Sequence, residues 1–261
     1  MRLALAVALA FGAASASAAD LDAIKARGEL RVLVVPVKGS NEFFPLEGSP
    51  PGFDREILEG FAQLHRIKIA PLAVDGWDQL VPGLLSGKGD LAAGRFTVTE
   101  ERKRRIAFTS EVFPTRNVVL TRRPAARIET LEQLRSVRVG TIKGSSMAEA
   151  VAKAGVPAAN VDDSHLPGGL PDALATGKVR AVVLGIESAI VAQKADPQIE
   201  TGVFLGAPGS LAYGVRQEDK ALLAALNTYI ENVRKTPTWS RLVVKYFGEK
   251  APEILKKARV E

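Results

Sequence analysis

Two distant stretches of the chain are built alike. Leu30-Arg31-Val32-Leu33-Val34-Val35-Pro36-Val37-Lys38-Gly39-Ser40 and Val137-Arg138-Val139-Gly140-Thr141-Ile142-Lys143-Gly144-Ser145-Ser146 each open on Arg-Val, run through apolar residues and close on Lys-Gly-Ser. A second echo follows in the same order. Leu84-x-x-Gly87-Lys88 precedes the apolar residues around Leu91, and Leu174-x-x-Gly177-Lys178 precedes Ala181-Val182-Val183-Leu184. In both, a helix stops at a glycine and a buried strand begins. The expected fold class is therefore α/β, with two lobes of similar build and a parallel-rich sheet in each. Such sheets bind ligands outside the carboxyl ends of their strands. The Lys-Gly-Ser turns and the loops at Gly94 and Gly185 all follow predicted strands, so they are expected to converge on one cleft between the lobes.

The intervening segments agree. Residues 20–27 read as a short helix stopped by Gly28. Phe53, Ile57, Phe61 and Leu64 form one apolar helix face, with Asp54 as its cap. Residues 67–73 and 117–121 read as strands, and residues 147–154 as a helix. Leu222, Leu223, Leu226, Ile230 and Val233 line a further helix near the end. Residues 1–18 read instead as a secretory signal peptide: Arg2, an apolar run from Leu3 to Phe11, and Ala16-Ser17-Ala18 as the cleavage site. The expected location is the periplasm, and no later run is long and apolar enough to span a bilayer. The sequence has no cysteine, which leaves no disulfide, no thiolate metal site and no lipid anchor, and its two histidines offer little for zinc. No metal and no cofactor is expected. The formal charge is +6, but the basic residues are scattered and no aromatics interleave with them, so nucleic acid is not an expected partner.

The stretch Thr97-Val98-Thr99-Glu100-Glu101-Arg102-Lys103-Arg104-Arg105 breaks a local rule. Oxygen-bearing caps and acids open a helix, and then four cations crowd its first turns, against the positive end of the helix dipole. A rule broken without local compensation points to a functional residue. Arg102 is the candidate; Lys103, Arg104 and Arg105 read as solvated, because one short helix cannot aim all four at one pocket. Other motif searches fail. Asp172 and Val179 break the phosphate-loop pattern around Gly168-Gly169 and Gly177-Lys178, and neither His65 nor His165 lies near a nucleophile motif.

From Leu21 to Phe247 the sequence resembles the bacterial solute-binding proteins of the polar-amino-acid type, extracellular family 3. The resemblance is carried by Leu21-x-x-Ile24-x-x-x-Gly28-x-Leu30-Arg31-Val32, Gly52-Phe53-Asp54, Leu80-Val81-Pro82-x-Leu84-x-x-Gly87-Lys88-x-Asp90, Thr97-x-Thr99-x-x-Arg102, Ile106-Ala107-Phe108-Thr109, Val139-Gly140-x-x-x-Gly144-Ser145 and Lys245-Tyr246-Phe247. It implies a two-lobed, type II periplasmic-binding-protein-like fold, each lobe a sheet flanked by helices. Two hinge crossings are expected near 115–121 and 204–212, with residues 19–117 plus 210–261 in lobe 1 and 118–209 in lobe 2.

In the family, the arginine at the position of Arg102 grips the ligand's carboxylate, a role suited to a rigid guanidinium fork. Gly144-Ser145-Ser146 opens a helix whose free N–H groups form an anion site, so Arg102 on one lobe and Ser145 and Ser146 on the other would share one carboxylate. Phe43 and Trp77 align with aromatic or apolar pocket walls, and Thr97 is expected to offer a hydroxyl and an N–H. One departure concerns the aspartate that usually pairs with the ligand's ammonium: gap-free counting places Gly185 there. The nearest carboxylate, Glu187, either substitutes through a loop shift or faces solvent from a helix. Arg95 stands where the family has a small or polar residue, and either turns toward the ligand or swings to solvent. With Lys38 and Lys143 it tilts the ligand toward neutral or negative carboxylate compounds.

The expected function is capture of a small carboxylate-bearing solute, an amino acid or related organic acid, and its delivery to a membrane-embedded ABC importer by a monomer that does no chemistry itself. A periplasmic sensing module, similar to domains linked to lytic transglycosylases, and a cyclohexadienyl dehydratase-like enzyme using Glu187 remain as alternatives.

Overall fold

The computed structural model describes residues 21–38 and 40–259. The expected signal peptide over residues 1–18 lies outside the described residues, as does Gly39 of the first Lys-Gly-Ser turn.

The helix α1 (Leu21–Arg27) ends at Gly28 and turns directly into β1 (Glu29–Val34). Leu30, Val32, Leu33 and Val34 have no solvent contact, as expected of a strand covered on both faces. Helix α2 (Phe53–His65) leads to β2 (Lys68–Ala73), and α3 (Leu80–Leu85) to β3 (Leu91–Ala92). After α4 (Glu100–Lys103) comes β4 (Ala107–Phe108). The chain then enters the long β5 (Phe113–Arg122) and builds a second unit: α5 (Leu131–Arg135), β6 (Val139–Gly140), α6 (Ser146–Lys153), β7 (Val161–Asp162), α7 (Leu170–Ala175), β8 (Ala181–Gly185), α8 (Ile186–Ala195) and β9 (Ile199–Leu211). It returns through β10 (Gly214–Val215) and closes with α9 (Lys220–Lys235), α10 (Pro237–Phe247) and α11 (Ala251–Ala258).

The internal repeat becomes a repeated topology. One sheet has the order β2-β1-β3-β10-β4 and the other β7-β6-β8-β5-β9. In each, three strands run parallel in the order second, first, third. In each, the next strand is antiparallel and adjoins a crossing between the lobes: β10 follows the crossing strand β9, and β5 is itself the other crossing. The sheets are thus mixed, with a parallel core. The two matched Lys-Gly-Ser stretches supply β1 and β6, and the two glycine stops supply the turns before β3 and β8. Gly87 (φ 73°) and Gly177 (φ 72°) end α3 and α7 in the left-handed region, where an L-residue is strained. The following amides, Lys88 and Lys178, bond back to the Gly83 and Ala173 carbonyls at 3.0 Å, the closing bond of a Schellman turn.

The two crossings lie side by side. β5 and β9 pair antiparallel from Phe113–Leu211 to Arg122–Ile199. On the first lobe, Phe43, Phe53, Phe113, Trp239 and Phe247 form an aromatic cluster with ring centroids 5.0–6.4 Å apart. Through α10 and α11 this core reaches β5 and α8, so the C-terminal helices brace the hinge.

Two local expectations are corrected. Phe53, Ile57 and Phe61 bury as read and Leu58 joins them, but Leu64, at the same angle around α2, is 68% exposed because it lies in the last turn of the helix, at the end of the covered face. Asp54 does not cap that helix. Gly52 holds the cap position, and the Asp54 carboxylate turns into the core to accept from Tyr213 Oη at 3.2 Å and from the Arg95 amide at 3.2 Å. The C-terminal stripe is as read, with Leu222, Leu226, Ile230 and Val233 buried and Leu223 packed at its edge.

Candidate functional site

A cavity of about 410 Å³ lies between the lobes, outside the carboxyl ends of β1, β3, β6 and β8. Of the residues singled out from sequence, Arg102, Thr97, Trp77, Arg95, Ser145, Ser146 and Glu187 line it.

Arg102 reaches the cavity because α4 is only one turn long. Thr99 caps that turn, its Oγ1 accepting from the Arg102 amide at 3.3 Å. The Arg102 side chain curls back and is 9% exposed. Its Nη1 donates to the Thr97 carbonyl at 2.7 Å, its Nη2 reaches the Gly144 carbonyl of the other lobe at 3.5 Å, and the guanidinium lies over the Phe96 ring at 4.5 Å. Burial pulls its pKa down to about 10, against the opposing influence of Glu149 and Glu101. It makes no ion pair among the described residues. The rest of the basic run behaves as solvated charge: Lys103 pairs with Glu100 at 2.9 Å, and Arg104 and Arg105 are exposed.

Across the cleft, α6 begins at Ser146 with Ser145 as its cap. Ser145 Oγ donates to the Ile142 carbonyl at 2.5 Å and accepts from the Ala148 amide at 3.2 Å. Ser146 Oγ donates to Thr97 Oγ1 at 3.0 Å, so both lobes meet beside Arg102. The positive end of an eight-residue helix and a buried guanidinium therefore face the same space. Trp77, 7% exposed, opens the turn before α3 and forms part of the wall.

The far end of the cavity carries the departures noted in the sequence. Glu187 sits at the start of α8 and is 4% exposed, which corrects the solvent-facing alternative: its carboxylate turns inward and accepts from Thr115 Oγ1 at 2.6 Å. Burial pushes its pKa up, with the Thr115 hydroxyl and the Arg95 charge opposing. A Cβ placed on Gly185 would stand 2.1 Å from Glu187 Oε1. The Glu187 carboxylate thus fills the volume that a side chain at position 185 would occupy, and Gly185 is what admits it.

Arg95 lines the cavity rather than swinging to solvent. It holds φ 60°, unusual for a residue with a side chain, and its amide is fixed by the Asp54 carboxylate. Burial lowers its pKa, while Glu187, Glu42 and Asp54 oppose that shift. Burial likewise pushes the Asp54 carboxyl up to about 6, with its backbone and Tyr213 hydrogen bonds opposing.

Two sequence candidates are placed elsewhere. Phe43 is 3% exposed inside the aromatic cluster, where the hydrophobic gain of burial exceeds that of a cavity wall; only the Arg95 guanidinium, 5.6 Å from its ring centroid, connects it to the site. Gly94 does not line the cavity. Its φ of 81° shapes the turn that presents Arg95. Lys38 lines the cavity, whereas Lys143 is exposed. Ser40, of the first Lys-Gly-Ser turn, lines it as that turn's expected place implies; sequence reading missed Thr115, Asn117, Ser188 and Met147, which also line it. Beyond Glu187 the lining runs between α7 and α8, where Leu170, Pro171, Val191 and Ala192 supply apolar wall and Asp172 and Asp196 supply carboxylates.

The sequence profile of the bacterial extracellular solute-binding proteins, family 3, matches residues 31–249. The chain belongs to this family. A probable histidine-binding protein of Neisseria gonorrhoeae is 26% identical over 238 residues, spanning 85% of this chain and 86% of its own length. A membrane-bound lytic murein transglycosylase F of Pseudomonas fluorescens is 25% identical over 246 residues, and there the chain spans only 50% of the relative's length. Among solved structures, an ancestral arginine-binding protein with arginine bound is 27% identical, covers 85% of this chain and 99% of its own, and superposes with a TM-score of 0.74. The family's two-lobed α/β fold is the one described above. Among the described residues no helix is long and apolar enough to cross a membrane.

Proposed function

We propose that the protein captures a small carboxylate-bearing solute, an amino acid or related organic acid, between its lobes in the periplasm and delivers it to a membrane-embedded ABC importer. The observation that carries this reading is the buried Arg102 guanidinium, which has no ion-pair partner among the described residues and faces the N-terminus of α6. A buried charge of this kind is costly until an anion pairs with it. In this reading Arg102, Thr97, Ser145 and Ser146 hold the carboxylate, Trp77 walls the pocket, and Glu187 accepts the ammonium in place of an aspartate at position 185. The carboxylate gains its second set of partners only when the lobes meet, which couples capture to closure. Histidine and arginine, named for the two similar proteins of binding type, support the amino-acid class.

A thermal-shift panel of amino acids and small diacids tests the proposal. A solute at a hundred times its dissociation constant adds about 2.7 kcal/mol to stability. Arg102→Ala is expected to abolish that gain while the empty variant stays folded; a variant that binds as wild type does would refute the assignment.

One observation favours a second reading. Glu187 is a buried carboxyl with a raised pKa at the cavity wall, as general acid catalysis requires. Formation of aromatic product from prephenate or arogenate would establish the dehydratase-like activity in place of pure capture.

A further inference from the structure

Arg95 occupies an expensive position for a charge. Its backbone is held at φ 60° by the bond from its amide to Asp54 Oδ2. Its guanidinium lines the cavity, yet its polar partners there are hydroxyls at the long end of hydrogen bonding: Ser40 Oγ at 3.4 Å and Ser188 Oγ at 3.3 Å, both from Nη1. Its Nε is buried without a hydrogen-bond partner. It makes no ion pair among the described residues, although the opposite charge of Glu187 is close enough to act on it.

What keeps those two apart is visible. Thr115 Oγ1 donates to Glu187 Oε2 at 2.6 Å and draws the carboxylate toward β5. Ser188 Oγ stands between the charges, accepting from Arg95 Nη1 and donating to Glu187 Oε1 at 3.4 Å. Opposite charges in a cavity of low dielectric attract strongly. Held apart by one hydroxyl, each keeps hydrogen-bonding capacity for something else.

Resting on the capture reading above, we infer that the solute is an amino acid with a second carboxylate, an α-amino diacid. One carboxylate sits between Arg102 and the N-terminus of α6, the ammonium on Glu187, and the second carboxylate on the fork of Arg95. A neutral amino acid leaves the Arg95 fork unmatched. A cationic side chain, as in the arginine and histidine of the similar proteins, would meet the like charge of the Arg95 guanidinium at the place where the second carboxylate sits, although Asp172 and Asp196 also line the cavity. A diacid without an amine leaves Glu187 facing like charge.

The test is calorimetric titration of the full mature chain with L-aspartate, L-glutamate, L-glutamine, L-arginine and glutarate. Wild type is expected to bind aspartate or glutamate about tenfold to a hundredfold more tightly than glutamine, the range of one charge-assisted pair. Arg95→Met should erase that preference, bringing the ratio of acidic to glutamine affinity close to one. Arg95→Lys, which keeps the charge and loses the fork, should retain part of it, and this variant carries the comparison if Arg95→Met does not fold. Equal or tighter binding of glutamine, arginine or glutarate by wild type, or an acidic preference that survives unchanged in both variants, overturns this inference alone. If no compound binds wild type, or Arg102→Ala binds as wild type does, the capture reading falls and this inference with it.

Discussion

At position 185 the deciding quantity is a volume rather than a backbone angle. Gly185 has φ −66° and ψ 150°, which any residue adopts, yet a Cβ there meets Glu187 Oε1 at 2.1 Å. Gly185→Ala is therefore expected to displace the Glu187 carboxylate at a cost of about 1–3 kcal/mol in stability, read by urea denaturation, and to weaken amino-acid binding in the same preparation. Asp54 gives a residue-scale prediction with a definite sign. Its carboxyl titrates at about 6 in the native protein, against 3.8 ordinarily. Between those values the native state keeps a proton that the unfolded chain has released, so stability falls as pH rises through that window and levels off above it. A shift of this size corresponds to on the order of 3 kcal/mol. Glu187, also raised by burial, adds a slope of the same sign. Asp54→Asn should flatten the profile between pH 4 and pH 6 relative to wild type, which denaturation at successive pH values will show.

At the scale of elements, the two glycine stops do the same work in the two lobes. Nothing lies within 4 Å of a Cβ built on Gly87 or Gly177, so alanine at either meets no neighbour and suffers only the left-handed backbone. Each substitution should cost about 1 kcal/mol, and the double variant about the sum, because the sites lie in different lobes. These turns were legible in the sequence because a helix stop followed by an apolar run obeys local rules, and the same holds for β1, β6 and β8. Strand β9 was legible only as a crossing. Its burial alternates weakly and its residues include Gly202, Gly206, Pro208 and Gly209, so no apolar run marks its thirteen residues. The two-residue strands β4, β7 and β10 carry too little pattern to be read alone, whereas β3 and β6, equally short, were marked by the repeated stretches. Arg102 was legible because it violates the helix dipole, whereas Thr115 and Ser188 break no local rule and gain meaning only when the lobes bring them to one cavity. Phe43 misled for the opposite reason: an aromatic beside a predicted turn fits a pocket wall and a core equally well until packing decides.

For the whole molecule, the lobes meet through few direct bonds across the mouth of the cleft among the described residues. They are Ser146 to Thr97 at 3.0 Å, Arg102 to Gly144 at 3.5 Å, Arg95 to Ser188 at 3.3 Å, and the Lys38 amide to the Pro167 carbonyl at 3.4 Å. Closure also brings backbone against backbone, since a Cβ on Gly168 would lie 2.3 Å from the Lys38 carbonyl oxygen. Gly168→Ala is expected to hold the lobes apart, lowering solute affinity about tenfold or more and leaving the radius of gyration of the saturated variant above that of saturated wild type in small-angle scattering. The order of strands has a consequence for how the chain is made. β10, which lies between β3 and β4, arrives only after every strand of the other sheet has been synthesised. The chain therefore supplies every strand of the sheet it begins second before it can close the gap between β3 and β4 in the sheet it begins first.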